Sequence, residues 1–98
     1  MESVYELCLA HELAKRGLTA ERQVILPVVY DGLTLDAGYR LDLLINQSVI
    51  VEIKAADGAP RLFESQVLTY LKLSKLRLGF LINFNVAHLR DGLKRLVL

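Results

Sequence analysis

Asp42, Glu52 and Lys54 are the residues of this chain whose types and spacing could do chemistry. Glu52 and Lys54 lie inside Val49-Ile50-Val51-Glu52-Ile53-Lys54-Ala55, a run otherwise β-branched and aliphatic, as a buried strand should be. Side chains i and i+2 of a strand point the same way, about 7 Å apart at roughly 3.3 Å per residue. Glu52 and Lys54 therefore share a face with Ile50, while Val49, Val51, Ile53 and Ala55 cover the other. Charges in so apolar a strand are costly unless paired or bound to a metal. Asp42, in Arg40-Leu41-Asp42-Leu43-Leu44, sits on the preceding strand. A short turn at Asn46-Gln47 brings it opposite Val51 or Glu52, depending on register.

One carboxylate per strand, with a lysine two residues on, is the set that metal-dependent phosphodiester cleavage requires. Carboxylate oxygens bind a hard cation such as Mg²⁺, which keeps several waters and takes a substrate phosphate as a further ligand. Such a cation lowers the pKa of a water and neutralises charge developing on the phosphorus oxygens. Lys54 would steady the nucleophile or the pentacovalent state, and the carbonyl of Ile53 could be another ligand. The bare pattern Asp-x₉-Glu-x-Lys also fits a cross-strand Glu–Lys pair on a solvated sheet face. The apolar density of the strand and the order of the elements weigh against that simpler account.

Those elements follow from periodicity. Glu2 to Arg16 reads as a helix with Val4, Leu7, Cys8, His11 and Ala14 as its apolar stripe, widened by Leu9 and Leu13. Gly17 is its expected stop. Gln23 to Tyr30 reads as a strand, with Pro27 arguing for an edge position or a bulge. Asp31-Gly32 is a hairpin signal, and the return strand runs from about Leu33 to Ile45 with a bend at Gly38. Asn46-Gln47-Ser48 turns into the strand Val49–Ala55. Asp57-Gly58-Ala59-Pro60 breaks the pattern, with Pro60 placed to start a helix over Arg61–Ser74. Leu78–Phe84 is a further strand, and a strand–helix–strand connection of this length implies parallel pairing. The tail admits a helix from Val86, but Asp91-Gly92 favours a final strand over Leu93–Leu98.

Composition sets outer bounds. A chain of 98 residues, 53% of them hydrophobic, is expected to form one domain over residues 1–98 with a real core. Mean hydropathy is +0.35, yet no apolar run approaches the roughly 20 residues of a membrane span. No signal peptide is recognisable, and the lone Cys8 excludes an internal disulfide, so a cytoplasmic setting is expected. Net charge is +1, but residues 72–98 carry six Lys/Arg against Asp91 alone. That end is either a solvated basic tail or an edge that contacts phosphate.

The order helix, three-strand meander, helix and strand, with Asp42 and Glu52-x-Lys54 on adjacent strands, resembles the PD-(D/E)XK nuclease superfamily. Gln66-Val67-Leu68-Thr69-Tyr70 is similar to the Gln-x₃-Tyr motif of its RecB-like branch. Five segments together resemble the GxxExxR family of that superfamily. They are Glu2-Ser3-Val4-Tyr5-Glu6, Leu35–Asp42, Val51–Ala55, Gln66–Leu71 and Leu81–Asn85. The resemblance implies an α/β (α+β), restriction-endonuclease-like αβββαβ core, with a four-stranded mixed sheet flanked by helices. It implies Mg²⁺ dependence, with Mn²⁺ as a substitute, and action on nucleic acid, DNA first. Carried over by position, Asp42 and Glu52 would bind metal and Lys54 would be the catalytic lysine. Glu2 would be an accessory carboxylate, and Gln66 and Tyr70 would brace the site or touch a phosphate. Members of that family carry a further stretch before the Glu-Ser-Val-Tyr segment, so the chain is expected to be a short member. A homodimer covering that side is compatible with this. A catalytically inactive module that keeps the fold and binds nucleic acid or protein is the alternative reading.

The remaining polar residues point elsewhere. His11 and His88 have no second ligand at metal spacing and read as structural, and Cys8 reads as core. Arg40 shares Asp42's face and would pair with a carboxylate or hold a phosphate. Asn83 and Asn85 suit a turn at a strand end.

Overall fold

Helix α1 (Glu2–Lys15) leads into strands β1 (Ala20–Ile25), β2 (Val28–Tyr30), β3 (Leu33–Leu35), β4 (Arg40–Ile45) and β5 (Val49–Lys54). Helix α2 (Pro60–Ser74), β6 (Leu78–Asn83), a 3₁₀ turn (Leu89–Gly92) and β7 (Leu93–Val97) complete the chain. The structure is a computed structural model that describes residues 1–36, 38–58 and 60–98. Ala37 and Ala59, within the stretches read as a bend and a helix approach, lie outside the described residues.

Five strands form one mixed sheet in the order β1-β4-β5-β6-β7. The β5–β6 pair is parallel and the other three are antiparallel. The αβββαβ core expected from the sequence is present as α1, β1, β4, β5, α2 and β6, and the tail adds β7 as a fifth, edge strand. The β4–β5 turn needs two left-handed residues, and Asn46 and Gln47 supply them with φ of 51° and 57°.

The two long strands expected at 23–30 and 33–45 are each divided. Proline has no N–H for a ladder, and Pro27 separates β1 from β2. β2 and β3 then pair only with each other, as a two-stranded ribbon closed by Asp31-Gly32. The N–H of Leu26 donates to the carbonyl of Tyr39 at 2.9 Å, which joins the chain again at the base of that ribbon. β1 lies at a sheet edge, where a proline next to a strand is tolerated.

Alternation along β5 sorts the core into two layers. Val51 and Ile53 pack with Leu43 against Tyr5, Leu9, Ala10 and Leu13 of α1. Ile50 packs with Leu44 and Leu81 against Val67, Tyr70 and Leu71 of α2. Leu43, Ile50 and Ile53 are fully buried, each worth about 1.5–3 kcal/mol by transfer from water. The sheet is thus covered on both faces, with Glu52 and Lys54 on the α2 side.

The α1 face differs from the expected stripe. Val4, Leu7, Cys8 and His11 are exposed, and the packed face is Tyr5, Glu6, Leu9, Ala10 and Leu13. Apolar residues run most of the way round this helix, so their spacing does not choose a face. The polar partners of Glu6 and the stacking of Tyr5 on Phe84 (4.3 Å between centroids, planes 5° apart) choose it instead. On the other layer α2 rests on Gly79 of β6, where an added Cβ would stand 2.9 Å from Val67 Cγ1. No helix among the described residues is long and apolar enough to cross a membrane.

Candidate active site

The β4–β5 register pairs Ile45 with Val49, Leu44 with Ile50 and Leu43 with Val51. The next positions in that register are Asp42 and Glu52. There each carboxylate takes a backbone donor of the opposite strand. Asp42 N–H donates to Glu52 Oε1 at 3.1 Å, and Ile53 N–H donates to Asp42 Oδ2 at 2.8 Å. Of the two partners that spacing allowed for Asp42, the structure selects Glu52.

β1 supplies a third polar group. Its register with β4 pairs Arg22 with Leu43 and Val24 with Leu41, which puts Gln23 opposite Asp42. Gln23 holds a left-handed backbone, φ 53°, uncommon for a side-chain-bearing residue in a strand. Its amide Nε2 donates to Glu6 Oε2 at 2.9 Å and reaches Asp42 Oδ1 at 3.4 Å. Arg22 Nε donates to Glu6 Oε1 at 3.1 Å, so buried Glu6 is both paired and hydrogen-bonded. Glu6 and Gln23 were missed by motif spacing. The signal available was Glu6 itself, an acid beside Tyr5 on a helix rich in apolar residues.

Glu52 is only 2% exposed. Burial first, and then the negative charge of Asp42, push its pKa from 4.5 up to about 8, against the pull of the Asp42 N–H and of Lys54. Tyr70 on α2 faces the same two acids. Burial raises its pKa, Glu52, Asp42 and Tyr39 add to the rise, and a hydrogen bond from Gln66 opposes it. That bond runs from Gln66 Nε2 to the Tyr70 hydroxyl at 2.7 Å. Because the hydroxyl accepts from Gln66, its own proton is available to a further acceptor.

Lys54 points toward α2, its Nζ 5.1 Å from the centroid of the Phe63 ring. It lines a cleft of about 480 Å³ together with Tyr39, Phe63, Ser65, Gln66, Thr69 and Tyr70. Asp42, Glu52, Lys54, Gln66 and Tyr70 are thereby brought to one region. Glu2 is not brought into a group with them. Its Oε2 accepts the Ala55 N–H at 3.1 Å, and among the described residues no three His, Cys, Asp or Glu side chains gather as a metal cluster.

The donor set suits a hard cation with few protein ligands. Each carboxylate uses one oxygen on a backbone N–H and has a second. Ile53 turns its N–H to β4, and in an extended strand its carbonyl shares that edge. Two facing acids, one of them half-buried, suit a Mg²⁺ that keeps its own waters. Other expected residues lie apart. Arg40, His11 and His88 are exposed, and among the described residues Arg40 makes no ion pair. Asn83 Oδ1 accepts the Asn85 N–H at 3.0 Å, the turn expected there.

A family model described as the PD-(D/E)XK nuclease superfamily matches residues 1–96. No curated protein and no solved structure matches the chain.

Proposed function

The chain belongs to the PD-(D/E)XK nuclease superfamily, and from that premise we propose that it is a Mg²⁺-dependent nuclease, of the GxxExxR kind, that hydrolyses phosphodiester bonds in DNA. The observation that carries this reading is the exchange of backbone donors between Asp42 and Glu52, which holds two carboxylates face to face beside Lys54. Asp42, Glu52 and the Ile53 carbonyl would hold the cation. Once bound, Mg²⁺ or Mn²⁺ supplies a water of lowered pKa and a counter-charge for the phosphorus oxygens. The Lys54 ammonium leaves the Phe63 face to meet charge building on the phosphate. Gln66 holds the Tyr70 hydroxyl as its acceptor, which leaves that hydroxyl's proton for a phosphate oxygen. Gln23 and Glu6 keep Asp42 turned toward Glu52. In this reading residues 1–98 act as one domain.

Lys54 resting on Phe63 is the observation that favours the alternative, a module that binds without cleaving. Calorimetric titration with Mg²⁺ and Mn²⁺, together with a plasmid-nicking assay, separates the two. Asp42→Ala and Glu52→Ala are expected to abolish cation binding. Lys54→Ala is expected to retain it and to nick at least ~100-fold more slowly. Equal, background-level cleavage of plasmid and of single-stranded DNA by the native chain and Lys54→Ala under Mn²⁺ removes the enzyme reading.

A further inference from the structure

The cleft beside Lys54 offers more than a phosphate needs. Its walls are the rings of Tyr39, Phe63 and Tyr70, with Lys54 as the cation and Ser65 and Gln66 among the polar groups. Its volume, about 480 Å³, falls in the range of small-ligand sites, roughly 300–1,000 Å³. Tyr39 is 38% exposed and meets Tyr70 edge to face, with centroids 5.9 Å apart and planes at 61°. Tyr70 is buried, so in this edge-to-face pair it is the exposed Tyr39 ring that can take a further flat ring. Lys54 is two residues along β5 from Glu52, so a group in the cleft lies within about one nucleotide of a phosphate held at the acids.

Resting on the nuclease reading, we infer that this cleft receives an unpaired nucleobase next to the scissile phosphate, so that the substrate is single-stranded DNA. A base in a duplex is paired and stacked away from the protein, and drawing it out costs unstacking energy. A single strand offers the ring face without that cost, and aromatic walls bind it with little sequence preference. Charge points the same way. Duplex binding without sequence preference draws on many phosphate contacts, whereas the cleft itself carries one ammonium, that of Lys54. The amide of Gln66, committed to Tyr70 through one N–H, has its remaining donor and acceptor for a base edge.

The test measures binding apart from cleavage. A fluorescein-labelled oligodeoxyadenylate and a hairpin duplex of matched length are titrated with protein in Ca²⁺, with fluorescence anisotropy as the readout. A 2-aminopurine placed in the single strand reports stacking by quenching. The native chain is expected to prefer the single strand and to quench the probe. Tyr39→Ala is expected to weaken single-strand binding about tenfold and to abolish quenching, and Tyr39→Phe to keep both. Equal affinity for the two forms, or no loss in Tyr39→Ala, overturns the inference, whatever the nicking assay gives. Selective single-strand binding with quenching but no cleavage under Mn²⁺ keeps the cleft as a nucleobase site and removes the nuclease reading, and the scissile phosphate with it.

Discussion

Asp42 and Glu52 stand opposite each other on β4 and β5 and exchange backbone donors, the Asp42 N–H going to Glu52 and the N–H after Glu52 going to Asp42. The arrangement fixes both acids before any cation arrives. It also places two negative groups together at a position where Glu52 is almost fully buried. The cost falls on the metal-free protein, and it can be read as a function of pH.

Glu52 has an ordinary value of 4.5 when unfolded and about 8 when folded. Between those values the folded chain holds a proton that the unfolded chain has released. Its contribution to stability is therefore complete below about pH 4.5 and is lost as pH rises through about 8. In EDTA, stability is expected to fall across that window by up to ~1.4 kcal/mol per pH unit, which melting temperatures from about pH 5 to pH 8 would register. Glu52→Gln should flatten the profile. A native profile already flat would contradict the assignment.

Cation binding must displace that proton. Apparent Mg²⁺ affinity is expected to rise about tenfold per pH unit up to about pH 8 and then to level off, with close to one proton released per cation below that point. Calorimetry in buffers of different ionisation enthalpy counts the proton. A binding constant independent of pH would show that Glu52 is not a ligand.

Gln23 trades backbone strain for position. Replacing it with glycine relieves a left-handed φ of 53° but removes the amide that links Glu6 to Asp42. The expected result for Gln23→Gly is a stability change within ~1 kcal/mol and a fall in nicking of about tenfold. Loss of stability with unchanged activity would reduce Gln23 to a packing residue.

Gly79 sets how close α2 lies to the sheet. A methyl there meets Val67 Cγ1 at 2.9 Å and Leu71 Cδ1 at 3.5 Å, and both side chains are fully buried. Gly79→Ala is expected to cost ~1–3 kcal/mol in urea unfolding and to slow cleavage, because the shift carries Gln66 and Tyr70 away from the acids. A neutral substitution would mean that the helix has slack.

Much of this was legible because β5 alternates so regularly. Ile50 against Val51 and Ile53 assigned the faces, and the turn at Asn46-Gln47 limited the register to two choices. What stayed hidden had no period to announce it. The α1 face depends on Glu6 finding Arg22 and Gln23, partners 16 and 17 residues away. The division of the two long strands depends on Pro27, whose missing N–H signals a break without saying where the chain goes next. Glu2 Oε2 accepts the Ala55 N–H, a contact with the chain just past β5 that no spacing in the sequence announced.

The bond from Leu26 to Tyr39 that closes the base of the β2–β3 ribbon has an evolutionary corollary. Because the stem is tied there, the segment beyond it can lengthen, shorten or change character without disturbing the strand that bears Asp42. Tyr39 is both the last residue of that knot and a wall of the aromatic cleft. A change in the ribbon can therefore retune what enters the cleft while Asp42 and Glu52 keep their places.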